Sequence, residues 1–201
     1  MVIRMKKDCL LCGVGGQGTV LASRLIAAAA MNKGLNAATS ETIGMAQRGG
    51  CVVSHVRVAD CIHSPMIPYG GADVIIAFEP AEAVRNLRYL KKDGTVITAS
   101  KAVKPVTSTL GGASYTGDEM LSYLKENIAN LVVIDGDAVC GECGSPKVLN
   151  LALLGAAASC GALGLTAEEV ESAMKKRVNE KFHALNSKAI ELGGKYVKES
   201  E

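Results

Sequence analysis

The run Gly13-Val14-Gly15-Gly16-Gln17-Gly18 is the first place where residue types and spacing point to chemistry. A Gly-x-Gly-x-x-Gly pattern between an apolar run and a helical one lets the backbone turn tightly and sets a helix N-terminus toward a phosphate. The acidic residue that would take a ribose hydroxyl falls at Glu41, close to the spacing of about 20 residues that a dinucleotide site wants. The stretch after it does not suit that fingerprint. Glu41 to Arg57 reads ETIGMAQRGGCVVSHVR, a polar glycine-bearing loop that runs into a strand, where a crossover helix is expected. Three readings stand for Gly13, Gly15, Gly16, Gln17 and Gly18: an NAD(P) turn working with Glu41, a turn that receives another anion or a partner's backbone, or a close approach of purely structural use.

Gln47-Arg48-Gly49-Gly50 offers a guanidinium beside a pliant backbone. Arginine suits bidentate contact with carboxylate or phosphate; an ion pair within the fold or across a subunit face accounts for it equally well. His55 lies in the following strand, where it serves either as an acid/base group or as a hydrogen-bonded structural residue. The seven cysteines are Cys9, Cys12, Cys51, Cys61, Cys140, Cys143 and Cys160. Cys9 and Cys12 stand three apart in a strand and so face opposite ways, which makes them core thiols rather than joint ligands. Cys140-Gly-Glu-Cys143 reads as a glycine-containing turn that could converge two thiolates. A zinc site wants four ligands and no second pair is near. No closely spaced cysteine run of the ferredoxin type occurs, so no iron–sulfur cluster is expected on this chain.

These groups need a frame. Asp8–Gly13 reads as a buried strand, Thr19–Lys33 as a helix stopped by Gly34, and Leu35–Ser40 as a second strand before the loop from Glu41 to Gly50. Residues 52–58 alternate and suit a strand with one polar face. Asp73–Phe78 is a continuous β-branched run of the central-strand kind. Pro80 opens a helix to about Leu90, Lys92-Asp93-Gly94 is a turn, and Thr95–Thr98 and Leu131–Ile134 are strands around a helix from Asp118 to Ala129. Three helices close the chain, beginning at Ser145 or Pro146, at the capping box Thr166-Ala-Glu-Glu169, and at Lys181. Strands alternating with helices imply a three-layer α/β/α, Rossmann-like domain with a mainly parallel sheet and a helical C-terminal segment, a single domain over residues 1–201.

Composition narrows the classes. Hydrophobic residues make up 48% but aromatics only 3%, with no Trp, so the core is built from small aliphatics that permit close helix packing. The 22 basic residues are interleaved with 20 acidic ones, which excludes the clustered basic face of a nucleic-acid binder. Leu151–Leu165 is apolar but shorter than the ~20 residues of a membrane span. The basic start MVIRMKKD lacks the apolar core of a signal peptide, and an odd number of cysteines without one suggests reduced thiols in the cytoplasm.

GVGGQG at 13–18, ETIGMAQRGGCVVSHVR at 41–57, ADVIIAFEPAEA at 72–83, KKDGTVI at 91–97, SPKVLNLALLGA at 145–156 and FHALNSKAIELG at 182–193 together resemble the γ subunit or domain of 2-oxoacid:ferredoxin oxidoreductases, most closely the β subunit of the indolepyruvate type. The resemblance implies a subunit of a complex that decarboxylates a 2-oxoacid oxidatively on thiamine diphosphate, passes the acyl group to coenzyme A and sends electrons to ferredoxin. It implies that thiamine diphosphate, Mg and the Fe-S clusters belong to a large α subunit. Gly136-Asp137-Ala138 comes near a thiamine motif, but Asn150 follows at the wrong spacing, so no thiamine ligand is expected here. Cys140 and Cys143 depart from the family's pattern.

Overall fold

The structure is a computed structural model that describes residues 5–43, 49–103 and 115–200. Six strands form one sheet in the order β2-β3-β1-β4-β5-β6. They are β1 (Lys7–Val14), β2 (Asn36–Ile43), β3 (Cys51–Ala59), β4 (Ala72–Ala77), β5 (Leu90–Ala99) and β6 (Asn130–Ile134). Strands β1, β4, β5 and β6 pair in parallel, while β3 runs antiparallel to both β1 and β2. The expected mainly parallel sheet is present, with β3 its one reversed strand. Chain length explains the reversal: residues 44–50 are too few for a parallel crossover, which needs a dozen or more, so β3 folds straight back along β2. It thereby wedges itself between β2 and β1.

Two expectations along the strands differ. Glu41 was expected in the loop but lies within β2, opposite Ser54. Lys92–Gly94 was expected as a turn but stays inside β5 as an irregularity. The register steps there from Ala72 opposite Leu90 to Val74 opposite Thr95. Gly94 makes this possible, because a Cβ there would lie 2.6 Å from Leu90 Cδ1.

The first face of the sheet carries α1 (Thr19–Asn32), α5 (Leu149–Ser159), α6 (Ala167–Arg177) and α7 (His183–Ser200). Cys9, Leu11, Val56, Val74, Ile76, Phe78, Ile97 and Ile134 meet these helices in one continuous core. Helix α5 is buried from Asn150 to Ala158, so it needs no polar stripe. It crosses α7 backbone against backbone: a Cβ on Gly155 would lie 2.1 Å from Ile190 O, and one on Gly193 1.9 Å from Ala152 O. The Thr166–Glu169 capping box starts α6 as expected.

Among the described residues the second face is covered more thinly, by α2 (Pro80–Asn86), α3 (Asp118–Asn127) and the segment 60–71. Leu10, Cys12, Ile75 and Val96 pack there on Ile67, Ala83 and Leu124. Cys9 and Cys12 thus enter opposite cores, as period-two alternation demands. The alternation of β3 gives it the one polar side expected of it. That side is covered, and His55 is buried. Helix α4 (Gly136–Cys143) follows β6 and holds Cys140 and Cys143 on helical turns rather than in the irregular turn expected of them.

Candidate functional site

Parallel strands deliver their following loops to one edge, and β1, β4, β5 and β6 all end on the same side. The sheet changes direction of growth at β1, whose two neighbours lead to opposite edges; a crevice at such a point is where open α/β sheets bind ligands. A cavity of about 550 Å³ opens there. Its walls are the glycine turn, the start of α1, Lys101 beyond β5, Gly136, Asp137 and Cys140 of α4, and the Pro146–Asn150 segment.

Each residue of the glycine turn has an assignable part. Gly13 ends the strand, and a Cβ there would lie 2.8 Å from both Gln17 Oε1 and Phe78 Cβ. Gly15 donates its N–H to Gly50 O at 2.8 Å, joining the turn to the start of β3. Gln17 locks the turn from inside: Val14 N–H donates to its Oε1 at 2.6 Å, and its Nε2 donates to Phe78 O at 3.0 Å. Gly18 takes φ 88° as N-cap of α1 and sits against Asn150, whose Nδ2 lies 2.9 Å from where its Cβ would be. Gly16, at φ 100°, has nothing among the described residues within 4 Å of its Cβ direction. Among the described residues no side chain caps α1. Its first-turn amides therefore offer the positive end of the helix to the cavity.

Two cations stand on the opposite wall. Lys101 Nζ donates to Asp137 Oδ1 at 2.6 Å, and that carboxylate holds the ammonium above its ordinary range. Lys147 is the middle residue of the Pro146–Val148 turn, where its N–H is capped by Ser145 Oγ at 3.3 Å. Lys101 and Lys147 were not singled out in the sequence, and Asp137 was noted only within a near-miss to a thiamine motif. Their signal was positional, since Lys101 and Asp137 each follow the C-terminal end of a parallel strand.

The other expected residues scatter. Gly49 and Gly50 lead into β3, and Gly50 touches the turn through its carbonyl. Gln47 and Arg48 lie outside the described residues. His55 does not reach the cavity. It sits midway along β3 on the second face, where its Nδ1 accepts from Ile67 N–H at 3.2 Å and its ring meets Tyr89 edge-on. Burial pushes its pKa down, so it is a neutral acceptor fixed in the core. Cys140 does line the cavity, whereas Cys143 is not among its lining residues.

Cofactor demands can be tested on these atoms. Among the described residues no three His, Cys, Asp or Glu side chains converge as a metal site. Asp137 is engaged by Lys101, and Asn150 is buried with its Oδ1 accepting from Leu151 N–H. The two do not form a magnesium–diphosphate pair. Glu41 fares no better as a ribose ligand. The intruding β3 places β2 two strand spacings from β1, about 9.6 Å rather than about 4.8 Å. There Glu41 instead takes Ser23 Oγ at 3.4 Å and lies 3.8 Å from Arg24 Nε.

A second polar cluster, missed in the sequence, occupies the other side of the same sheet edge. Glu82 and Glu79 are buried at the start of α2. Arg85 Nη1 donates to Glu82 Oε1, and Cys51 Sγ lies 3.1 Å from each of Glu82 Oε1 and Arg85 Nη1. Tyr115 Oη donates to Glu79 Oε1, and burial followed by that carboxylate raises its pKa. Burial first, and then Glu82, raise both Cys51 and Cys12 as well.

Proteins of similar sequence point to one family, and solved structures share the fold. The family model for pyruvate ferredoxin/flavodoxin oxidoreductase matches residues 8–196. The chain is 38% identical to indolepyruvate oxidoreductase subunit IorB of Archaeoglobus fulgidus over 94% of each protein. The keto/oxoacid ferredoxin oxidoreductase γ subunit of Geobacter sulfurreducens has the same fold, with a TM-score of 0.71 at 24% identity over 96% of this chain and 99% of that one. The fold recurs in 2-oxoglutarate:ferredoxin oxidoreductase from Magnetococcus marinus, a structure with 2-oxoglutarate, coenzyme A and succinyl-CoA bound. The TM-score there is 0.74 at 20% identity, and the match covers 96% of this chain but 31% of that one. The chain belongs to the pyruvate ferredoxin/flavodoxin oxidoreductase family.

Proposed function

We propose that this chain is the small, non-autonomous subunit of a 2-oxoacid:ferredoxin oxidoreductase acting on indolepyruvate or a related aryl pyruvate. In that reaction the 2-oxoacid loses carbon dioxide, its acyl group passes to the thiol of coenzyme A, and the electron pair released goes to ferredoxin. Thiamine diphosphate, its magnesium ion and the iron–sulfur clusters belong to a larger partner chain. This chain binds and positions. Gly16, the α1 amides, Lys101 and Lys147 form an anion-holding cleft suited to the phosphates of coenzyme A.

One observation carries this reading. Among the described residues the cleft holds phosphate-type donors but no histidine, and its carboxylate, Asp137, is already paired with Lys101. Such a set orients a charged substrate and does not supply the general base or the electron sink of a decarboxylation. Identity to the IorB relatives over nearly the whole chain supports the choice of aryl substrate.

The test is anaerobic co-expression with the large thiamine-bearing chain. The pair should reduce ferredoxin or a viologen dye in the presence of indolepyruvate and coenzyme A, and this chain alone should not. Lys147→Glu should raise the KM for coenzyme A at least about tenfold, as loss of a phosphate contact and gain of repulsion require, and leave the KM for the 2-oxoacid unchanged. Turnover by the isolated chain would sink the proposal, and an unchanged KM for coenzyme A would sink the assignment of the cleft.

A further inference from the structure

We propose that Cys140 and Cys143 form a redox-active dithiol that closes to a disulfide and, in closing, reshapes one wall of the cleft. The two residues end α4, and both thiols are free and partly exposed. Residues three apart on a helix share a face, with Cα atoms about 5 Å apart, within the roughly 4.4–6.8 Å that a disulfide spans. Cys9 and Cys12 have the same spacing in a strand, are sealed in separate cores and have no such option. Burial raises the Cys9 thiol to about 12, whereas Cys143 has the Lys188 ammonium near it, opposing the upward push of burial.

Closure requires movement. Cβ atoms about 5–6 Å apart at this spacing must come to roughly 3.8 Å, so the last turn of α4 has to tighten. Gly144 ends the helix at φ 71°, and among the described residues nothing lies within 4 Å of its Cβ direction, so the turn has room to tighten there. Two bonds pass that movement on. Ser145 N–H donates to Cys140 O at 3.0 Å, and Ser145 Oγ caps Lys147 N–H at 3.3 Å. Cys140, Pro146 and Lys147 all line the cleft. On the far side Lys188 Nζ donates to Glu142 O at 2.8 Å and ties the turn to α7. The end of α4 is therefore held at α7, and its tightening is taken up by Ser145 and Lys147.

The chemistry is thiol–disulfide exchange with a low-molecular-weight disulfide as oxidant. Cys143 loses its proton to solvent and attacks one sulfur of that disulfide, expelling one small thiolate. Cys140 then loses its proton and attacks the Cys143 sulfur of the mixed disulfide, forming the internal S–S bond and expelling the second. Two electrons and two protons leave the protein, and the small disulfide becomes two thiols.

The full-length chain, reduced and then equilibrated with oxidised glutathione under anaerobic conditions, provides the test. After alkylation and peptide mapping, the segment holding both residues should be lighter by two hydrogen atoms and free of alkylating agent. Amide hydrogen exchange across residues 144–149 should rise at least about threefold and return on reduction. Cys143→Ser should abolish both changes. Alkylation of both residues after oxidation, or persistent glutathione adducts on them, would overturn the dithiol. A disulfide that leaves exchange at 144–149 unchanged would overturn its coupling to the cleft.

Discussion

The two faces of the sheet are held by different means. Helices α1, α5, α6 and α7 cover the first face, and the residues buried there are overwhelmingly Ala, Leu, Val and Ile. Among the described residues two short helices and the 60–71 segment cover the second, which buries Asp8, His55, Glu79 and Glu82. The difference traces to β3. Its alternation puts Val56 and Val58 against α1, and His55 and Arg57 on the other side. Close packing of small residues is thus set against a polar network in which Arg57 Nε and Nη2 reach Asp8 Oδ1 and Oδ2 at 2.7 and 3.2 Å. The first face owes its stability to shape and the second to pairing.

Adding volume to the first face should give the largest effect. Gly155→Val drives its Cβ to 2.1 Å from Ile190 O, so α5 and α7 must separate. Overpacking of this kind costs about 3 kcal/mol or more, a Tm drop of roughly 6–12 °C for a chain of this size. A urea midpoint within error of the parent would mean that the face is not closed by shape.

On the second face the matching break removes a partner. Arg57→Met leaves Asp8, only 3% exposed in its side chain, without its cation. Because Arg57 itself is partly exposed, the cost should be about 2 kcal/mol, below the 3–5 of a fully buried pair. Adding Asp8→Leu to Arg57→Met should return most of that loss. If the double variant is as unstable as the sum of the singles, pairing is not what holds this face.

Much of this division was legible in the sequence. The glycine turn, the DVIIAF strand, the Thr166 capping box and the opposed cysteines followed from local periodicity, and local periodicity is what the structure preserves there. The insertion of β3 between β2 and β1 was not, because strand order depends on pairing between distant segments. That one pairing decision moved Glu41 away from the turn and brought cover to the polar side of β3. The cationic wall of the cleft was hidden for the same reason: Lys101, Asp137 and Lys147 are far apart in sequence and share only the edge where parallel strands end. The Cys51–Glu82–Arg85 cluster likewise joins β3 to α2 across the sheet.

Acid should strain the second face and spare the first. Burial depresses the pKa of His55 below its ordinary 6.5, and its Nδ1 must stay unprotonated to accept from Ile67 N–H. Above about pH 6.5 the ring is neutral in both folded and unfolded chains and contributes no pH dependence. As pH falls below that value the unfolded chain takes up the proton first. Stability then declines, by at most about 1.4 kcal/mol per pH unit, until the depressed folded pKa is reached. His55→Gln should lower the stability at pH 7 and flatten the difference in urea midpoints between pH 7 and pH 5. An unaltered pH slope would place the acid sensitivity elsewhere.

The smallest effects give the finest contrast, because among the described residues one strand hydroxyl on each face is fully buried. Ser54 points to the first face, opposite Leu11 and Glu41 in the flanking strands, and its Oγ has no hydrogen-bond partner among the described residues. Thr98, on the second face beside Val96, donates its Oγ1 to Ala99 O at 3.1 Å. A buried polar atom without a partner costs its desolvation, and a partnered one returns about 1 kcal/mol. Ser54→Ala should therefore leave stability unchanged or raise it by up to about 1 kcal/mol, whereas Thr98→Val, equal in volume, should cost about 1 kcal/mol. Paired urea titrations at pH 7 decide this. Equal losses at both positions would show that the first face also uses its polar groups, and the contrast between shape and pairing would then hold only for the larger side chains.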